Sequence, residues 1–166
     1  MKFDQFQFLM QNVFAESGGD GPPPIKYNDI PVERLHPLVL AYIGDAYFSL
    51  YVRTNMLAYE QNKVRVLHTL DATIVSATMQ AVAYRSFESE LTETELNIAK
   101  RGRNAKSTVP KSATVADYHS STGFEALLGF LYLSKDYDRL REIVEKSFAV
   151  ITREMTKTAK GGVDKK

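Results

Sequence analysis

The sequence predicts an all-α fold, one domain organised around two helices that cross. Apolar residues recur at helical spacing through most of the chain, and no segment alternates apolar with polar residues as a half-buried strand does. Two long stretches are uncharged apart from one acid each, Asp45 between Leu35 and Val52 and Glu125 between Ser120 and Tyr132. No internal repeat stands out at the periods of solenoid proteins.

Phe3, Phe6, Met10, Val13 and Phe14 are spaced about one turn apart and predict a short amphipathic helix. The run Ser17-Gly18-Gly19-Asp20-Gly21-Pro22-Pro23-Pro24 ends it, because glycine loosens the backbone and consecutive prolines remove donors. Residues 1–30 are therefore expected to be a helix and connector, 31–157 the organised domain, and 158–166 a disordered tail. The first central helix runs from Pro37 to about Asn55, apolar nearly all round and so expected to be buried. A polar connector with Glu60-Gln61-Asn62-Lys63 leads to a largely internal helix from Leu70 to Phe87. Thr92-Glu93-Thr94-Glu95 matches a capping box, which starts a helix running toward Lys100. The segment 100–111 holds five basic residues, no acid, and both Gly102 and Pro110, and reads as a basic corner or loop. The second central helix is expected over about Ala113 to Leu133, and a surface amphipathic helix over Asp138 to about Met155.

At 166 residues and 44% hydrophobic content, the chain can bury one ordinary core and not two. It has no cysteine, which excludes disulfides and thiolate metal sites and fits a reducing compartment. No window approaches the roughly 18 apolar residues of a membrane span, and the polar start lacks a signal-peptide layout. The expected location is the cytoplasm, without a membrane partner. A net charge of +1 argues against indiscriminate nucleic-acid binding over the whole surface, so local clusters must carry any such contact.

A carboxylate in an apolar stretch costs several kcal/mol unless something compensates it. Ala41 and Gly44 give the first central helix a slim flank, and Gly123, Ala126 and Gly129 do the same for the second. The helices could then cross closely enough for Asp45 and Glu125 to share a cation, and oxygen-only ligation suits Mg²⁺. The competing reading pairs each acid with a base, for instance Asp45 with Arg53, purely to hold the fold. In the basic segment, Lys100, Arg101, Arg103, Asn104, Lys106 and Lys111 could grip phosphates, or simply form a solvated loop. His36, His68 and His119 show no metal-ligand spacing and are read as surface or capping residues. Tyr42, Tyr47, Phe48, Phe124 and Tyr132 are read as core or interface. No Ser-His-Asp or Cys-His set and no glycine-rich phosphate loop is present, which argues against covalent hydrolysis.

At Leu40-Ala41-Tyr42-Ile43-Gly44-Asp45-Ala46 and Gly123-Phe124-Glu125-Ala126-Leu127-Leu128-Gly129 the chain resembles the catalytic domain of ribonuclease III. Arg101-Gly102-Arg103-Asn104-Ala105-Lys106-Ser107 and Thr122-Gly123-Phe124-Glu125-Ala126 resemble more closely Mini-ribonuclease III, the short branch without a double-stranded-RNA-binding domain. The likeness covers roughly Pro31 to Glu142. It implies the helical bundle of a ribonuclease III endonuclease domain, with Asp45 and Glu125 as catalytic metal-binding acids and Tyr42 at a dimer contact. It implies a homodimeric, Mg²⁺-dependent endonuclease on double-stranded RNA that leaves 5′-phosphate and 3′-hydroxyl ends and matures the 23S ribosomal RNA precursor. The chain departs from full-length ribonuclease III at Leu38, Ala41 and Thr122, where that family carries further acids.

Two rivals remain at this stage. One is a catalytically silent relative that binds RNA or a ribosomal particle, motivated by those missing acids. The other is an all-α nucleotide pyrophosphohydrolase, which would gather several acids or a His-Asp pair that this chain lacks.

Overall fold

In the computed structural model the described residues are 4, 6–8, 11, 30–106, 108, 111 and 113–163, with side chains described through Lys157. The chain divides into two compact units, Met1–Pro31 and Val32–Lys166. In the first, the described residues Asp4, Phe6, Gln7, Phe8 and Gln11 are helical, whereas the Gly/Pro connector lies outside the described residues.

Among its described residues the second unit holds six α-helices: α1 Pro37–Met56, α2 Val64–Ile74, α3 Ala77–Phe87, α4 Glu93–Arg103, α5 Val115–Leu133 and α6 Tyr137–Val163. Short 3₁₀ turns precede α1 at Val32–Arg34 and follow α3 at Glu88–Glu90. Among the described residues there is no strand, and no helix is long and apolar enough to cross a membrane.

Local chemistry sets the boundaries. His36 caps α1, its Nδ1 accepting from the Leu38 amide at 3.2 Å, with Pro37 at the first helical position. The capping box at α4 forms as expected: the Thr92 amide donates to Glu95 Oε2 at 2.8 Å, and the Glu95 amide to Thr92 Oγ1 at 3.3 Å. The helix expected from Leu70 to Phe87 is instead two. Ser76 leaves helical geometry (ψ 148°) and caps α3 through its hydroxyl, so the chain turns between Ile74 and Ala77. The basic segment is also less loop-like than expected, since Lys100, Arg101 and Arg103 complete the last turn of α4. Helix α6 continues through most of the expected tail to Val163, because nothing between Met155 and Lys160 breaks a helix.

α5 is the hub, packed most extensively on α1 and then on α4 and α3. Glycine makes this possible at particular points. A Cβ on Gly44 would lie 1.8 Å from the Glu125 carbonyl oxygen, and one on Gly129 would lie 1.9 Å from the Leu40 carbonyl oxygen. α1 and α5 therefore touch backbone to backbone, and they do so beside Asp45 and at Glu125. Gly123 is spent on a different neighbour, because its absent Cβ would meet the Ala99 carbonyl oxygen of α4 at 2.8 Å. The Phe48 and Phe124 rings, both fully buried, meet edge to face at 5.1 Å and lock the α1–α5 crossing from the core side.

The expectation that α1 is buried on all sides needs correction. Val39, Tyr42 and Leu50 are 48%, 76% and 65% exposed, and they fall along one stripe of the helix.

Candidate active site

Asp45 and Glu125 are brought together at the α1–α5 contact, as the slim flanks predict. Glu125 is half-buried, and Asp45, as a whole residue, is exposed. Burial first, and then the charge of Asp45, pushes the Glu125 carboxyl up to about 8, while a hydrogen bond from Gln80 pulls the other way. The Asp45 carboxyl is also raised, mainly by loss of water around it, with Arg53 opposing and Asp71 adding to the shift. Among the described residues no basic side chain lies within ion-pair distance of either acid. Two carboxylates that repel each other in a partly dry crevice, without a cation from the protein, have the donor chemistry of a divalent-ion site.

The Asp45–Arg53 pair of the competing reading does not form. Arg53 instead donates through Nε to Asp71 Oδ2 at 3.0 Å, across from α1 to α2. Its charge still reaches Asp45 from there.

Gln80 on α3 was not singled out from the sequence. It is buried, donates Nε2 to the Val75 carbonyl at 3.1 Å, and hydrogen-bonds to Glu125. That bond favours the ionised form, but it is outweighed by burial and by the charge of Asp45. The available signal was a lone amide among the apolar positions Ile74, Ala77, Ala81 and Tyr84.

One of the three positions at which the chain departs from full-length ribonuclease III is also placed. Thr122 is buried one turn before Glu125, and its hydroxyl donates to the Tyr118 carbonyl at 2.9 Å, turned into its own helix. Among the described residues no group of three or more His, Cys, Asp or Glu is arranged to hold a metal. The site offers two protein carboxylates.

The basic corner separates into two sets. Arg101 donates through Nη1 to the Glu33 carbonyl and through Nη2 to the Leu35 carbonyl at 2.8 Å, tying α4 to the turn before α1. Arg103 donates to Glu88 Oε1 at 3.0 Å, and Tyr84 donates to the same oxygen. These arginines, predicted as RNA contacts, are occupied as braces. Lys100, Asn104, Lys106 and Lys111 are exposed. Among the histidines, His36 caps α1 and His68 is exposed, but His119 is half-buried with Nδ1 unpartnered.

Comparisons with known proteins bear on the fold and the family. A model of the ribonuclease III domain matches residues 38–136, a span that includes both acids. A Mini-ribonuclease 3 from a Thermoanaerobacter species is 48% identical over 121 residues, covering 72% of this chain and 85% of that protein. The chain belongs to the ribonuclease III family. Its relatives place it in the Mini-ribonuclease III branch: the Staphylococcus aureus Mini-ribonuclease 3 is 40% identical over 126 residues, covering 74% of this chain and 94% of that protein. A crystal structure of a Fusobacterium nucleatum protein shares the fold with a TM-score of 0.65 and 32% identity, covering 73% of this chain and 95% of that one. As a member of this family the protein is an endoribonuclease, and the family is generally dependent on divalent metal ions and acts on double-stranded RNA.

Proposed function

We propose that this protein cleaves double-stranded RNA at the Asp45–Glu125 pair with Mg²⁺ as its ion, leaving 5′-phosphate and 3′-hydroxyl ends. The observation that carries this reading is the uncompensated acid pair at the glycine-mediated contact of α1 and α5. Asp45 and Glu125 would hold the ion, and Mg²⁺ suits so small a protein donor set because it keeps several waters of its own. When bound, the ion would acidify a water and offset charge on the leaving 3′-oxygen. Attack by a water on phosphorus would break its bond to the 3′-oxygen. The 3′-oxygen takes up a proton, and the phosphate stays on the 5′ side.

The chain's own residues divide the remaining tasks. Gln80 opposes the upward shift of the Glu125 carboxyl, and the Phe48–Phe124 contact keeps the crossing from opening. Lys100, Asn104, Lys106 and Lys111 face outward and supply phosphate and 2′-hydroxyl contacts of the kind A-form RNA requires. Arg101 and Arg103 fix the end of α4 that presents them. The exposed stripe of Val39, Tyr42 and Leu50 supports a homodimer closed over α1, with one acid pair for each RNA strand. A precursor of 23S ribosomal RNA, processed in the cytoplasm, is the substrate the family resemblance points to.

The experiment is cleavage of a long, end-labelled RNA duplex, with and without Mg²⁺, by the wild type and by Asp45→Asn. Metal-dependent cutting lost in the variant is expected. Binding without cutting under all metal and salt conditions would contradict the reading and favour a silent RNA-binding relative.

A further inference from the structure

Asp71 is a buried acid near the site, only 7% exposed, and it is served unevenly. Its Oδ2 accepts from Arg53 Nε at 3.0 Å, whereas its Oδ1 is buried with no partner among the described residues. Its partner lies largely in water: the Arg53 side chain is 61% exposed against 9% for that of Asp71. An arginine held through Nε alone keeps both Nη groups, with four N–H donors, for another acceptor. No described protein atom takes them.

The surroundings indicate what that acceptor is. A cavity of about 250 Å³ opens between α1 and α2, lined by Arg53, Leu57, Val64, Leu67, His68 and Asp71. Its walls are mostly apolar, and its polar lining residues are Arg53, Thr54, His68 and Asp71. The guanidinium borders this cavity and is also close enough to Asp45 for its charge to be felt there. A planar fork fixed from behind by a carboxylate and facing water suits an anion with paired oxygens. Beside a phosphodiester-cleaving site, that anion is the nucleic-acid backbone.

We propose that Arg53, oriented by Asp71, binds a backbone phosphate of the RNA strand near the one cleaved at Asp45 and Glu125. This rests on the RNA-cleavage reading above. Asp71 gives up part of the guanidinium's net attraction and in return fixes its direction, so Arg53 contributes register as well as charge. It is a substrate-binding residue, and Asp71 is a positioning residue that acts through it.

The test compares wild type, Arg53→Gln, Arg53→Lys and the double variant Arg53→Gln with Asp71→Asn. Two readouts are taken: cleavage kinetics on a short RNA duplex, and binding of the same duplex in chelator across a salt series. Arg53→Gln is expected to raise KM about tenfold, more than it lowers kcat. Its log–log salt slope should fall by about one, as for the loss of one phosphate contact. Arg53→Lys should recover the slope and only part of the affinity. The double variant leaves no lone buried carboxylate, so it covers the case in which Arg53→Gln folds poorly, and it should bind as weakly as the single variant. Unchanged KM and slope would overturn the proposal, as would wild-type binding in the double variant, since Arg53 would then serve only to neutralise Asp71. If the wild type binds duplex but does not cut it, the cleavage reading fails while the salt slopes still decide on Arg53. If the wild type neither cuts nor binds duplex RNA, both readings fail.

Discussion

Glu95 and Glu125 lie on the adjacent helices α4 and α5, both withdrawn from water, and the protein treats them in opposite ways. Glu95 is 5% exposed and surrounded by donors: Arg139 reaches its two oxygens at 2.8 and 3.1 Å, and the Thr92 amide reaches one of them at 2.8 Å. Burial alone would raise its pKa, yet these bonds hold it below the usual glutamate value. Glu125 has burial and a neighbouring carboxylate against it and one amide in its favour, and it is pushed up to about 8. A buried acid that the protein completes with its own cation belongs to the architecture. A partly buried acid pair left without one is where an outside cation can be used.

The sharpest way to break the comparison is to neutralise the open site. Glu125→Gln keeps the shape and should lower duplex cleavage at least about a thousandfold, near 4 kcal/mol of transition-state stabilisation, in a single-turnover assay. Arg139→Met in the closed site should do the reverse, costing about 3–5 kcal/mol in urea denaturation because it leaves Glu95 buried and unpaired. Cleavage by the folded fraction should persist.

Stability against pH separates the two acids further. Glu125 titrates near 4.5 when unfolded and near 8 when folded, so between these values the native state holds a proton that the unfolded chain has released. Without metal, stability should fall as pH rises through this window and level off above it. Glu125→Gln removes the effect and should be more stable than wild type by a few kcal/mol at pH 8, with little difference at pH 4. For Glu95 the sign is opposite: its lowered pKa contributes stability above the usual glutamate range that is lost on acidification. The smallest effect is expected at the surface, where Arg103→Met, breaking the part-exposed pair with Glu88, should cost under about 1 kcal/mol in the same denaturation assay.

The acid pair was legible in the sequence because each acid is the only charge in an apolar stretch, 35–52 and 120–132, and small residues flank both. Gly44 and Gly129 do make that contact, but Gly123 is turned to α4, and spacing alone could not distinguish the two neighbours. The capping box was legible because its two halves are three residues apart. The break at Ser76 was not, since apolar periodicity continues across it. The partners of Arg53, Arg101 and Arg103 were hidden for a related reason. Arg101 finds its acceptors at Glu33 and Leu35, and Arg53 finds Asp71 on another helix, none of which local spacing encodes. The exposure of Val39 and Leu50 was masked by an apolar composition that predicts burial without naming what does the burying.

The central claim is that Asp45 and Glu125 together form an unfinished cation site. The most direct measurement is the Mg²⁺-induced change in Tm of the wild type, Asp45→Asn and Glu125→Gln at pH 7.5 without RNA. Mg²⁺ should raise the wild-type Tm in a saturable way and leave both variants unmoved. An equal rise in all three would place the ion elsewhere and contradict the account.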